Sequence, residues 1–322
     1  KREIPIEYEP GVFRSAFRRD DSEQSVDPAR RSPLTAQQES ELRSRANGVS
    51  VILGNIAAGL KDLEPFLSLA FGPEYFILIN RARDVTRFAK ELAALSNRQN
   101  QGTTLVLVTS TCPWTKSWID RSLETVRRLK SRTSFVRVVF VADPLAAWNL
   151  LNETDGQLDS LTGEGVTPIQ LSPWHDTALR QWLEDCGFGP RDRDERARIT
   201  AVTGNWAWLL QRFFQESRSD PTRWEQALNI VDNDLRDAKF THELLTALGV
   251  NRSDTRRVLQ AMSDWEAEIM PEDLVELVSD VPAERIHQTL KWADLLSLAT
   301  PSRNRSWSVN PLVARALHVV EA

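Results

Sequence analysis

The stretch Val49–Asp62, VSVILGNIAAGLKD, decides the fold of this chain. Val49–Leu53 is an apolar run of strand length. Gly54 to Gly59 bounds a turn, and a helix is predicted from Leu60. Strand, glycine turn and helix in that order make a phosphate-binding loop. Glycines let the backbone curl around a phosphate, and the next helix points its free N–H groups and positive dipole end at it. The motif requires Gly, four residues, Gly, Lys, then Ser or Thr. Gly54 and Gly59 keep that spacing. Leu60 stands where the Lys belongs and Lys61 where the hydroxyl belongs, and Asp62 follows, so no hydroxyl is left there to hold Mg²⁺. Two readings follow. One is a nucleotide site without its chemistry, held by Gly54, Asn55, Gly59 and Lys61. The other is a strand, turn and helix with no ligand.

Working outward, a helix is expected upstream from Leu34 to Arg45. Thr35 is its N-cap and Gln38 its capping-box partner, and Asn47-Gly48 ends it. Downstream an alternation begins. The pattern predicts helices at Leu60–Phe71, Asp84–Ser96, Pro113–Ser131 and Pro144–Leu151. Between them it predicts strands at Tyr75–Ile79, Thr104–Thr109, Phe135–Val141 and Val166–Leu171. Several strands are continuous apolar runs, the sign of a parallel sheet covered on both faces. Such regular alternation argues for a doubly wound α/β domain over residues 34–172. Its ligands would lie beyond the carboxyl ends of the strands, where the turn Gly54–Gly59 sits.

Residues 1–33 read as an arm or linker. IPIEY is a candidate short strand, and Asp20–Pro33 reads as a flexible link. Arg14, Arg18, Arg19, Arg30 and Arg31 are suited to phosphates or an acidic partner. Beyond Leu171 the chain turns helical. Pro173–Cys186, Ala197–Phe214 (broken at Thr203-Gly204-Asn205) and Pro221–Asp232 read as helices, and GPRDRDERAR (189–198) as a charged loop. These form an all-helical lid over residues 173–236. Residues 237–322 read as a winged-helix domain. Helices are expected at Phe240–Leu248, Ser253–Ile269, Pro271–Val278 and Pro282–Leu296. A hairpin in LATPSRNRSWSV (Leu298–Val309) and a closing helix at Pro311–Val319 follow.

The 322 residues, 41% of them hydrophobic, are ample for two or three domains. A net charge of −5 announces neither a nucleic-acid protein nor an acidic tail. Cys112 and Cys186 fit no metal spacing and suit a reducing, cytoplasmic setting. The four histidines, His175, His242, His287 and His318, make no ligand cluster, so no metal is expected. Most of the 11 tryptophans sit at helical spacing beside Leu and Ala and read as core. No apolar run reaches the length of a membrane span, and no signal peptide is visible. The chain begins at Lys1 and reads as trimmed or as part of a longer protein.

Four segments carry a family resemblance. They are Ser40–Gly54 (SELRSRANGVSVILG), Leu171–Gly187 (LSPWHDTALRQWLEDCG), Thr200–Phe213 (TAVTGNWAWLLQRF) and Met270–Ala299 (MPEDLVELVSDVPAERIHQTLKWADLLSLA). In that order they resemble the STAND branch of the AAA+-type P-loop NTPases over most of residues 34–322. The matching parts are the element before the phosphate loop, the strand-to-lid transition, the lid turn and the winged helix. The resemblance implies one or two acidic residues at the end of strand Thr104–Thr109, but this sequence has Thr109, Ser110 and Thr111. It implies a polar sensor after Phe135–Val141, where Asp143 is the candidate. Phosphoryl transfer needs Mg²⁺, a phosphate-binding Lys and a water-positioning group. Losing one such electrostatic group commonly costs on the order of a hundredfold in rate.

Three functional readings remain open. In the first, a catalytically inactive scaffold or regulatory subunit of a prokaryotic signalling or defence complex acts on a protein partner without a cofactor. In the second, a switch holds ATP or another nucleotide without efficient hydrolysis. In the third, the winged helix binds nucleic acid through Arg285, Gln288 and Lys291 on its recognition helix and Arg303 and Arg305 on its wing, with Trp307 as a stacking residue. Asp280, Glu284 and Asp294 flank that set. A Cys112–His175 nucleophilic pair would require the two to meet in space.

Overall fold

The structure is a computed structural model. It describes residues 13–15, 31–44, 49–71, 76–80, 90, 104–109, 116–130, 136–153, 166–265 and 268–321. The expected helix Asp84–Ser96, the IPIEY strand and Cys112 lie outside the described residues.

A five-stranded sheet forms the centre of the first half. Its strands are β3 (Val49–Leu53), β4 (Phe76–Asn80), β5 (Thr104–Thr109), β6 (Val136–Ala142) and β7 (Val166–Gln170). They lie in the order β4-β5-β6-β3-β7, and every pairing is parallel. All residues of β3 and β6 are buried, as continuous apolar strands between two helical layers must be. Arg137, in the apolar run of β6, is buried as well and donates to Ser50 Oγ at 2.6 Å. The described helices of this part are α1 (Ala36–Ser44), α2 (Leu63–Phe71), α3 (Lys116–Lys130) and α4 (Pro144–Glu153).

The start of α1 follows its local sequence. Thr35 N–H donates to Gln38 Oε1 at 2.9 Å, and Gln38 N–H donates to Thr35 Oγ1 at 3.2 Å, a complete capping box. Upstream, Arg31–Thr35 is a strand, β2, paired antiparallel with β1 (Phe13–Ser15). The end of the expected flexible link, Arg31–Pro33, is therefore ordered, because Leu34 and Ser32 are fully buried against the domain.

The second half is helical. It comprises α5 (Asp176–Asp185), α6 (Arg193–Thr203), α7 (Ala207–Ser217), α8 (Trp224–Asp234), α9 (Ala238–Leu248), α10 (Ser253–Asp264), α11 (Pro271–Leu277), α12 (Ala283–Leu295) and α13 (Pro311–Glu321). A short antiparallel hairpin, β8 (Ala299–Pro301) and β9 (Trp307–Val309), precedes α13. Two expectations are corrected. Most of the charged run 189–198 is helix, because Asp192 and Glu195 form a reciprocal capping box that starts α6 at Arg193. The helix expected over Ser253–Ile269 ends at Asp264, because Ile269 pairs with Trp307 of the hairpin. Aromatic packing of Trp182 with Phe188, Phe213 and Phe214 fixes α5 to α7. No helix among the described residues is long and apolar enough to cross a membrane.

Candidate functional site

The turn after β3 runs at the carboxyl edge of the sheet, and neighbouring elements enclose it. Gly54 N–H donates to Ala142 O of β6 at 3.3 Å. A Cβ on Gly54 would lie 2.8–2.9 Å from the Leu171 side chain, so close packing already requires glycine there. Asn55 is completely buried. Its side chain accepts from Ala58 N–H at 2.9 Å and donates to the carbonyl of Leu296, at the end of α12, at 3.3 Å. Gly59 takes φ 92°, and Pro33 of β2 and Ala207 of α7 pack where its side chain would be.

The amides of this turn have acceptors within the protein. Ile56 N–H and Ala57 N–H both donate to the carbonyl of Ala247, at 2.9 and 3.3 Å. Ala58 N–H has Asn55, Gly59 N–H donates to Ile56 O, and Leu60 N–H donates to Asn55 O. Ala247 lies at the C-terminal end of α9, where unsatisfied carbonyls carry the partial negative charge of the helix dipole. An internal carbonyl thus holds the position that a phosphate oxygen takes in a ligand-filled loop of this kind. The turn's own carbonyl Ala57 O accepts from Trp208 N–H of α7 at 3.1 Å.

The helix after the turn also differs from the sequence expectation of Leu60–Phe71. Leu60–Asp62 is a 3-10 turn, closed by Asp62 N–H on Gly59 O at 2.9 Å, and α2 begins only at Leu63. The α-helical dipole end is therefore set back from the glycines. Lys61 is exposed on that 3-10 turn. It lines a cleft of about 250 Å³ with Ile56, Gly59, Asp62, Pro65, Ala207, Trp208 and Gln211, and Gln211 Nε2 donates to Asp62 Oδ2 at 3.3 Å across it. Of the four predicted turn residues, Gly54 and Asn55 are thus structural parts of a packed turn. Gly59 shapes it, and Lys61 faces the cleft.

The other chemistry-bearing positions are distributed as follows. Strand β5 ends at Thr109, and Ser110 and Thr111 lie outside the described residues. Asp143 follows β6, but its Oδ1 accepts from Ala146 N–H at 2.8 Å and so caps α4. His175 is exposed at the N-cap of α5, and its conceivable partner Cys112 is not described. On α12, Arg285 lies over the ring of Trp148 in α4, 5.3 Å from its centroid, and Gln288 Nε2 donates to Glu284 Oε1 at 3.3 Å. Lys291, Arg303 and Arg305 are exposed.

Sequence reasoning missed the dock that closes the turn. Trp292 of α12 is buried, donates from Nε1 to Pro144 O at 2.8 Å and meets Trp148 edge-on at 6.0 Å. Gly249 ends α9 with φ 88° and presses directly on Pro144. The only local signal was the Gly249 helix stop, which says nothing of what the helix end touches.

No family model matches the chain, and no curated protein matches it. Solved structures do. The Walker-type ATPase of Pyrococcus abyssi aligns with a TM-score of 0.58 at 10% identity, over 95% of this chain and 98% of that chain. The ORC2 protein of Aeropyrum pernix aligns at 0.49 and 14% identity, over 97% of this chain and 98% of that one. A STAND protein with a tetratricopeptide repeat sensor from Pyrococcus horikoshii aligns at 0.38 and 15%, over 87% of this chain and 41% of that one. The comparison with the Pyrococcus abyssi ATPase, together with the parallel sheet and the turn after β3, gives the chain the P-loop NTPase fold.

Proposed function

We propose that this chain, built on the P-loop NTPase fold, is a catalytically inactive member of that fold that works as a scaffold or regulatory subunit by binding another protein. One observation supports this reading above the others. The carbonyl of Ala247 takes the amides of Ile56 and Ala57, so the backbone cradle for a phosphate is filled from within. The sequence points the same way, with Leu60 in place of the lysine, no hydroxyl for Mg²⁺, and Thr109-Ser110-Thr111 where acids belong. In this reading residues 34–172 form the core domain, 173–236 a lid and 237–322 a winged-helix domain that locks the turn. The test is turnover of ATP and GTP by the purified chain. None is expected, and hydrolysis that disappears in Lys61→Ala overturns the reading.

The cleft beside Lys61 favours one alternative, a nucleotide-binding switch. In that case ATP at a hundredfold excess over its dissociation constant adds about 2.7 kcal/mol of stability. The winged-helix nucleic-acid reading is weaker, because Arg285 and Gln288 already have partners inside the chain.

A further inference from the structure

We infer that Arg252 and Arg285, together on the ring of Trp148, form a binding site for a phosphate-type oxyanion at the junction of α4, α10 and α12. The inference is independent of what occupies the turn after β3.

Both guanidiniums lie on one indole, Arg252 with its central carbon 4.5 Å from the ring centroid and Arg285 at 5.3 Å. Cation–π contact explains why one cation would sit there. It does not explain two, since like charges on one ring repel each other. Among the described residues neither guanidinium has a carboxylate partner. The nearest acids in sequence are otherwise engaged, Asp254 with Ser253 and Glu284 with Gln288.

Backbone dipoles add to the same positive charge. Arg252 is the N-cap residue of α10, and Arg285 lies in the first turn of α12. Cations are disfavoured at both places, because a helix N-terminus already carries partial positive charge. Two observations then call for an acceptor. Arg252 Nε is buried without a hydrogen-bond partner, and so is the hydroxyl of Thr255, a fully buried residue in the same turn of α10. A buried donor without an acceptor is costly, and a bound ion is one of the few explanations for it. A tetrahedral oxyanion supplies several acceptor oxygens and the missing negative charge at once, and arginine's planar fork is matched to it.

The site joins the α/β sheet to the C-terminal helices, so its occupancy would strengthen the contact between them. The chemistry is that of a phosphoryl group, either free or in a nucleic-acid backbone, and the test separates the two. The melting temperature and tryptophan fluorescence of the whole chain are followed against sodium phosphate, with sodium chloride at matched ionic strength as reference. A short DNA duplex is titrated in parallel. A saturable response to phosphate beyond that to chloride is expected, with affinity about tenfold or more weaker in Arg252→Gln and in Arg285→Gln, and partly kept in Arg285→Lys. A response to duplex alone that both glutamine variants weaken supports the site with a polymer as its source. Identical curves in phosphate and chloride with no duplex response overturn the inference from wild-type protein alone, whether or not the variants fold. A response that survives in both glutamine variants overturns it as well.

Discussion

The carbonyl oxygen of Ala247 lies 2.9 Å from the amide nitrogen of Ile56 and accepts its hydrogen bond. These residues are far apart in sequence, one ending a helix and the other inside a glycine-bounded turn. Their contact converts a loop suited to phosphate into an internal joint. It is held by Gly249 against Pro144, Trp292 on Pro144 O and Asn55 on Leu296 O.

Gly249→Ala should loosen that joint. A left-handed backbone costs an L-residue roughly 1–2 kcal/mol. The added Cβ would also lie 2.3 Å from Cβ of Pro144, whose ring cannot swing away. Urea denaturation should show a loss of at least about 2 kcal/mol, with limited proteolysis opening the α9–α10 connection. An unchanged midpoint would contradict the packing described.

Asn55 and Lys61 should separate cleanly, although the sequence groups them as one site. Asn55→Ala leaves a buried amide short of an acceptor and the Leu296 carbonyl without a donor, a loss of about 1–3 kcal/mol. Lys61→Ala removes an exposed side chain and should stay within about 0.5 kcal/mol of wild type. Equal effects from the two substitutions would mean that the turn is not packed as described.

Trp148 and Trp292 should behave as a coupled pair. Trp148→Ala empties a buried ring position and should cost about 3–5 kcal/mol. Trp292→Phe keeps the apolar body, loses the donor to Pro144 O and should cost about 1 kcal/mol. A double-mutant cycle should return a coupling energy of about 0.5–1.5 kcal/mol, and additivity would argue against the edge-on contact.

Asp294, near the end of α12, has its carboxyl pushed above the ordinary value of 3.8 by burial. The folded state therefore holds this proton more tightly than the unfolded chain. Stability contributed by the protonated form is lost as pH rises from the ordinary value through the raised folded one. Asp294→Asn should stabilise the protein at neutral pH and have no effect well below pH 3.8. Melting curves from acid to neutral pH check both ends, and a variant less stable than wild type at neutral pH contradicts the burial argument.

Local signals in the sequence were legible, and contacts between distant segments were not. Thr35 and Gln38 announce the start of α1 because both partners lie within one turn. The apolar runs of β3 and β6 announce a covered parallel sheet for the same local reason. Asp192 and Glu195 carry an equally local signal, hidden in a run of charges that reads as loop. The end of α10 is set by Ile269 pairing with Trp307, and no window around Asp264 contains that information. At the turn, the spacing of Gly54 and Gly59 located a special backbone. That α9 would supply the acceptor is written only in the tertiary packing.

Hydrogen exchange at the amides of Ile56 and Ala57, with and without Mg²⁺ and ATP, tests the internal joint most directly. The account predicts slow exchange in the free protein, unchanged by nucleotide. Fast exchange in the free protein that slows when ATP is added would contradict it.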